Sequence, residues 1–142
     1  MNMREDCDDV ADLLSSRCLA MRLRRVNRLV TAIYERRFRG LNITIAQVNI
    51  LAAIQKLGPE RASAAELSRV LLLEPSTTSR NLDRIEERGW IRRLATEDPR
   101  REALELTSSG QHILLSIREP WEAAQRESEQ ELGPKLTRAL LE

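Results

Sequence analysis

Aromatic residues make up only 3% of this 142-residue chain, and glycine and proline number five each. That scarcity weighs against a turn-rich β fold and favours a mainly helical one. There are two cysteines, Cys7 and Cys18, too few for a disulfide framework or a structural zinc site. The single histidine, His112, leaves no Cys/His pair in any recognisable catalytic spacing, and no glycine-rich phosphate loop is present. No enzyme, cofactor or metal is therefore expected. No apolar run approaches the roughly 18–20 residues of a membrane span. The opening MNMREDCDDV lacks the basic start and apolar run of a signal peptide. No membrane partner and a cytoplasmic location are expected. A basic excess is missing too, since the formal net charge is +1.

The distribution of charge says more than its sum. Glu5, Asp6, Asp8, Asp9 and Asp12 form an acidic arm, read as mobile, that contains Cys7. Arginines then crowd Arg17 to Arg39 and again Arg80 to Arg101. Leu19, Leu23, Val26, Val30, Ile33 and Phe38 fall three to five residues apart, one apolar stripe on a helix from about Leu13 to Arg39. Gly40 sits where its stop belongs. A chain of this length holds one compact domain, or one with a dimerisation extension. It has little with which to cover so long a helix, so part of the stripe is expected to meet another subunit.

Thr44 to Gln47 and Ser63 to Glu66 each have the form of a capping box ahead of an apolar run. Gly58-Pro59 closes the first of these helices. LEPSTTSRNLDRIEERGW, residues 73–90, opens another. Pro75 suits its first position, Glu74 would be a mediocre N-cap, Leu82 and Ile85 face inward, and Gly89 is the stop. Two short helices joined by a turn make a helix-turn-helix. WIRRLA (90–95) and REALEL (101–106) then read as two strands around a turn at Asp98-Pro99. The segment from Thr107 to Gly110 starts a helix towards Trp121. Pro120 is expected to bend or delay that helix, and Gly133-Pro134 to complicate a last stripe of Leu132, Leu136, Leu140 and Leu141.

From about Cys18 onward the chain resembles the MarR family of winged-helix regulators. Asp98, Arg100, Leu106, Thr107 and Gly110 match the family's D-x-R wing and the L-T-x-x-G that follows it. STTSRNLDRIEERGWIRR is similar to the family's recognition-helix pattern, with Ser79 for the usual threonine and Ile85 for the usual leucine. The resemblance implies a homodimer with intertwined chain ends above two winged lobes. It also implies a repressor of nearby genes, released by a small anionic or aromatic ligand or by an oxidant. The expected fold is mainly α with a β-hairpin wing. Residues 41–110 would form the winged helix-turn-helix, and 13–40 with 111–142 a helical dimerisation region.

Ser76, Thr77, Ser79 and Arg80 lie in the first two turns of the recognition helix. Hydroxyls there reach phosphates or base edges, and Arg80 can fork onto guanine; the plainer reading is capping and solvation. Arg84 either reaches a phosphate or pairs with Asp83 or Glu87. Arg100 and Arg101, at the wing tip, suit a narrow minor groove. Asp98 reads as the wing's internal anchor. Arg93 reaches the backbone of double-stranded DNA or pairs with Glu102 or Glu105.

A cysteine in the first helix is similar to the peroxide sensors of this family, and Tyr34 matches one of their tyrosines. Cys18 is offset by two residues, however, and Arg24 stands where their second tyrosine belongs. Cys18 is therefore read as a buried inert thiol, with a thiol-based peroxide switch as the alternative. A carboxylate effector would meet Arg22 or Arg25 between the helices and the lobe. His112 reads as a surface residue, and Trp90 and Trp121 as packing residues. The competing class is a winged-helix protein-interaction module without DNA binding, which the arginines at 80, 100 and 101 argue against.

Overall fold

The computed structural model describes residues 3–142. Seven helices and one hairpin follow in the order α1 (Met3–Arg17), α2 (Leu19–Phe38), α3 (Ile45–Leu57), α4 (Ala64–Leu71), α5 (Pro75–Glu87), β1 (Ile91–Ala95), β2 (Glu102–Leu106), α6 (Ser108–Ser116) and α7 (Arg118–Leu141). The strands pair antiparallel, Ile91 opposite Leu106 and Ala95 opposite Glu102. Ala62, in the α3–α4 connection, accepts a backbone hydrogen bond from Leu104 at 3.0 Å and so ties that connection to β2.

The core lies between α3, the inner sides of α4 and α5, and the hairpin. Ile50, Leu51, Ile54, Leu67, Leu82, Ile85 and Leu104 are all fully buried there. It continues upward to the C-terminal end of α2, where Phe38 is buried, and to Ala124 of α7. The Thr44 box forms in both directions: the Thr44 hydroxyl accepts from Gln47 N, and the Gln47 side chain accepts from Thr44 N. The Ser63 box is half made. Ser63 caps Glu66 N, but the Glu66 carboxylate turns to Arg69 and Arg61.

Thr107 and Gly110 show why the motif needs these residues. Thr107 Oγ1 donates to the Gly89 carbonyl and accepts from Gly110 N, joining the end of α5 to the start of α6. A Cβ on Gly110 would sit 1.9 Å from the Trp90 carbonyl oxygen. No side chain fits there.

Three expectations need correction. The acidic arm is not irregular but helical from Met3. The long first helix is two, because Cys18 takes an extended conformation (φ −70°, ψ 110°) and caps α2. Arg22 crosses the break to the Ser16 carbonyl. The left-handed residue after α2 is Asn42 (φ 51°), while Gly40 lies within a short 3₁₀ turn, Arg39–Leu41. Asparagine tolerates that conformation better than most residues. Pro120 does interrupt the helix without ending it: α6 stops at Ser116, whose carbonyl the proline cannot bond, and α7 resumes at Arg118 with the proline in its first turn. Its missing N–H costs least near a helix start. Gly133 does interrupt α7, at φ 76° and ψ 162°.

Candidate nucleic-acid interface

Helix α4 ends in Leu72, held left-handed at φ 52°, and Pro75 opens α5 three residues later. The Glu74 side chain makes no cap; its carbonyl accepts from Thr77 N and Thr78 N at 2.9 and 3.0 Å. Thr78, to which the sequence assigned no role, is the bolt of the motif. It is fully buried, and Ser68 of α4 donates to its hydroxyl at 2.8 Å. A hydroxyl at this depth has to be paired, which fixes the angle between the two helices.

With Thr78, Leu82 and Ile85 inside, Ser76, Ser79, Arg80 and Arg84 are exposed on α5 and Thr77 is half-buried. Among the described residues Arg84 makes no ion pair with Asp83 or Glu87, and Asp83 is engaged by Arg93. The first two turns therefore present hydroxyls and a guanidinium outward with no partner among the described residues.

Arg93 belongs to the architecture. Its guanidinium meets Asp83 at 2.6 Å, Glu86 at 2.8 Å and Glu102 at 3.4 Å. Burial alone would lower its pKa, but the Glu86 hydrogen bond and charge, with Glu102 and Asp83, outweigh that and raise it. Three carboxylates around one cation leave no net positive charge for a phosphate. The salt-bridge reading of Arg93 is the one this geometry supports, with Glu102 as the partner across the hairpin; Glu105 pairs with Arg92 instead.

At the wing tip, Asp98 Oδ1 accepts from Arg100 N at 3.0 Å and from Arg100 Nε at 3.3 Å. Thr96 Oγ1 lies 2.8 Å from the Asp98 carbonyl and 2.7 Å from that of Arg101, closing the turn. The Arg100 side chain stands 91% exposed. Arg101 differs: it is half-buried and donates to the Glu60 carbonyl, fastening the wing to the α3–α4 connection. One arginine projects and the other anchors.

Arg22 and Arg25 are exposed on the N-terminal half of α2. They do not line the cleft between the helices and the lobe. That cleft, of about 610 Å³, is bordered instead by Asn27, Tyr34, Glu35, Asn49 and Trp121, among others. Tyr34 is buried and donates to Gln125 of α7. Its burial, with Glu129 nearby, raises its pKa. Cys18 is free and half-buried in the single chain rather than fully enclosed, and Cys7 is exposed. His112 is a surface residue whose Nδ1 lies 2.6 Å from the Ser108 carbonyl. Trp90 is a packing residue with the Arg88 guanidinium 3.8 Å from its ring centre. Among the described residues no group of three or more His, Cys, Asp or Glu is placed to hold a metal ion. No helix among them is long and apolar enough to cross a membrane.

Comparison with known proteins gives a consistent picture. A sequence model of the MarR family matches residues 41–102. The HTH-type transcriptional regulator PecS of Dickeya dadantii is 31% identical over 90 residues, 62% of this chain and 54% of its own. The match thus spans about half the length of that curated relative. Among solved structures, the Mycobacterium tuberculosis regulator MosR in complex with DNA is 28% identical with a TM-score of 0.76, covering 87% of this chain and 91% of that one. A mutant of Escherichia coli MarR, complexed with operator DNA, shares the fold at 24% identity and a TM-score of 0.80, covering 90% and 91%.

Proposed function

We propose that this chain, whose residues 41–102 match a sequence model of the MarR family, is a member of that family and a homodimeric transcriptional regulator of pseudo-palindromic DNA. It acts in the cytoplasm, without catalysis, and as a repressor. The observation that carries this reading is the outward face of α5, where Ser76, Ser79 and Arg80 are exposed, with no side-chain partner among the described residues, beside a wing that projects Arg100. Such a face gains nothing from burial and has the donors that major-groove edges accept. Thr77, half-buried, contributes at the helix start. Arg84 holds backbone, Arg100 enters the minor groove, and Asp98 and Arg101 hold the wing in shape.

Residues 13–40 and 111–142 supply the dimerisation region, and two-fold symmetry sets the recognition helices roughly 34 Å apart, in successive major grooves. The effector is a small aromatic or anionic molecule in the cleft beside Tyr34 and Trp121. It releases DNA to the extent that it prefers the lobe spacing that no longer fits. Binding of the protein to its own upstream DNA, measured against salt and against random sequence, tests the regulator reading. Sequence-selective, salt-dependent binding is expected. Equal affinity for both DNAs, or none, would overturn it and favour a protein-interaction module. Release by an organic hydroperoxide in wild type but not in Cys18→Ser would replace the ligand with a thiol switch.

A further inference from the structure

The two flanks of α5 differ. At about 3.6 residues per turn, Thr78, Leu82 and Ile85 mark the buried side, and Ser76, Arg80 and Glu87 stand opposite. One flank carries Asp83 and Glu86, which hold Arg93 at the base of the wing. The other carries Arg84 and Arg88 and faces the end of α2. Between them lies an open cleft of about 690 Å³, bordered by Arg36, Arg39, Asn42, Arg84 and Arg88, among others.

The cations of this cleft are not equivalent. Arg36 is matched by Glu127, which Arg37 also reaches. Arg88 is held in place by the Asn42 carbonyl and the Trp90 ring, neither of which cancels its charge. Arg39 and Arg84 have no salt-bridge partner among the described residues. Two carboxylates share the space. Glu35 is turned to the start of α3, where it accepts from Ile45 N at 2.9 Å; Glu87 is exposed on α5. Arg39, Arg84 and Arg88 together leave the cleft positive. A guanidinium's flat fork of donors matches phosphate oxygens.

We infer that this cleft grips one phosphodiester of the operator backbone, on the edge of the major groove opposite the wing. The inference rests on the regulator reading and gives Arg84 its partners, Arg39 and Arg88, in the backbone contact. A helix in a groove is bordered by two sugar–phosphate strands. On the wing flank of α5 the three carboxylates around Arg93 leave no free cation for either strand, and on the other flank the arginines of the cleft are the available donors. Arg39 belongs to the turn that ends α2, so the same phosphate joins the recognition helix to the long helix above it. Contacts of this kind set register and orientation without reading sequence.

The test is the salt dependence of operator binding by the full-length protein. Each phosphate contact contributes about 0.9 to the slope of log K against log salt, and a dimer has two clefts, so Arg39→Gln should flatten the slope by roughly 1.8. Arg88→Gln should do the same, with the change equal on operator and random DNA. Arg39→Lys should restore most of it, and Arg28→Gln, which removes a charge elsewhere on α2, should leave the slope as in wild type. A wild-type slope in both Arg39→Gln and Arg88→Gln, while wild-type protein binds its operator, would overturn the cleft and leave the regulator reading standing. Failure of wild-type binding would overturn both. Exchanging sodium chloride for sodium phosphate at equal ionic strength separates the sources of the anion. Release of the wild-type complex by phosphate, together with an Arg39→Gln complex that keeps wild-type affinity and salt slope but is not released, would make this a site for a free anion and overturn the DNA role.

Discussion

The winged lobe and the N-terminal helices are built from similar amphipathic patterns, yet only one of them closes on itself. In the lobe, the inward stripes of α3, α4 and α5 all find partners, and Ile50, Leu67, Leu82 and Ile85 are fully buried. In α1 no residue is buried, and the α2 stripe begins with Leu19 at 74% and Leu23 at 62% exposed. The same stripe is buried by its last turns, at Ile33 and Phe38, where α7 covers it. An isolated helix the length of α1 is marginal in water. The lobe is thus complete in one chain, and the exposed upper half of the helical region is the surface on which the proposed dimer would seat its second copy.

Breaking the comparison where packing is tightest gives the largest effect. Gly110→Ala drives a methyl into the Trp90 backbone carbonyl, and overpacking of this kind costs about 1–3 kcal/mol or more. Thermal unfolding should fall sharply in Gly110→Ala and hardly at all in Gly40→Ala, whose Cβ meets nothing within 4 Å. Leu82→Ala, in the buried lobe, should cost about 2–5 kcal/mol by denaturant titration. The double variant Leu19→Glu with Leu23→Glu should do the reverse: a folded lobe by circular dichroism, but a monomer by sedimentation, with operator affinity lost. An unaltered dimer would place the interface elsewhere.

Changes at the DNA face sharpen the comparison without unfolding anything. Arg80→Ala should remove about 1–3 kcal/mol of discrimination at one base position, read by competition between operator and single-base variants. Arg100→Ala should weaken binding and flatten its salt dependence with melting temperature unchanged. Arg101→Ala should also loosen the wing, since its guanidinium holds the Glu60 carbonyl.

The smallest effect is at Glu66, whose hydrogen bond from Arg69, with Arg61 beyond, lowers its pKa from 4.5 to about 2. A carboxylate with a depressed folded pKa stabilises above its unfolded pKa and loses that contribution as pH falls through the folded one. Stability should therefore decline between pH 4.5 and about 2 in wild type, and less steeply in Glu66→Gln.

Elements whose signals are local were legible in the sequence. Thr44 with Gln47, Pro75 at a helix start, Gly89 after α5 and Thr107 with Gly110 all act within a few residues, and each stands where its chemistry requires. The outward hydroxyls and Arg80 followed from the same pattern. What escaped depends on distance. The break at Cys18 comes from an extended backbone at one ordinary residue, with no glycine or proline to announce it. Arg101 and Arg93 carry the same charge as Arg100, and only the fold brings Glu60, Asp83 and Glu86 to them. Thr78 differs from Thr77 by one helical step, which decides which hydroxyl Ser68 reaches. Arg39 and Arg88 are 49 residues apart in the chain, so their common cleft is a property of the fold alone.

The central claim is that two lobes, each complete in itself, are held by their helices so that two α5 helices enter one face of DNA. Hydroxyl-radical footprinting of the protein on its own upstream DNA tests this most directly. The account predicts two protected half-sites related by a two-fold axis, centred about one helical turn, roughly 34 Å, apart, with both lost together in the Leu19→Glu, Leu23→Glu variant. A single protected half-site, or a footprint unchanged in that variant, would contradict it.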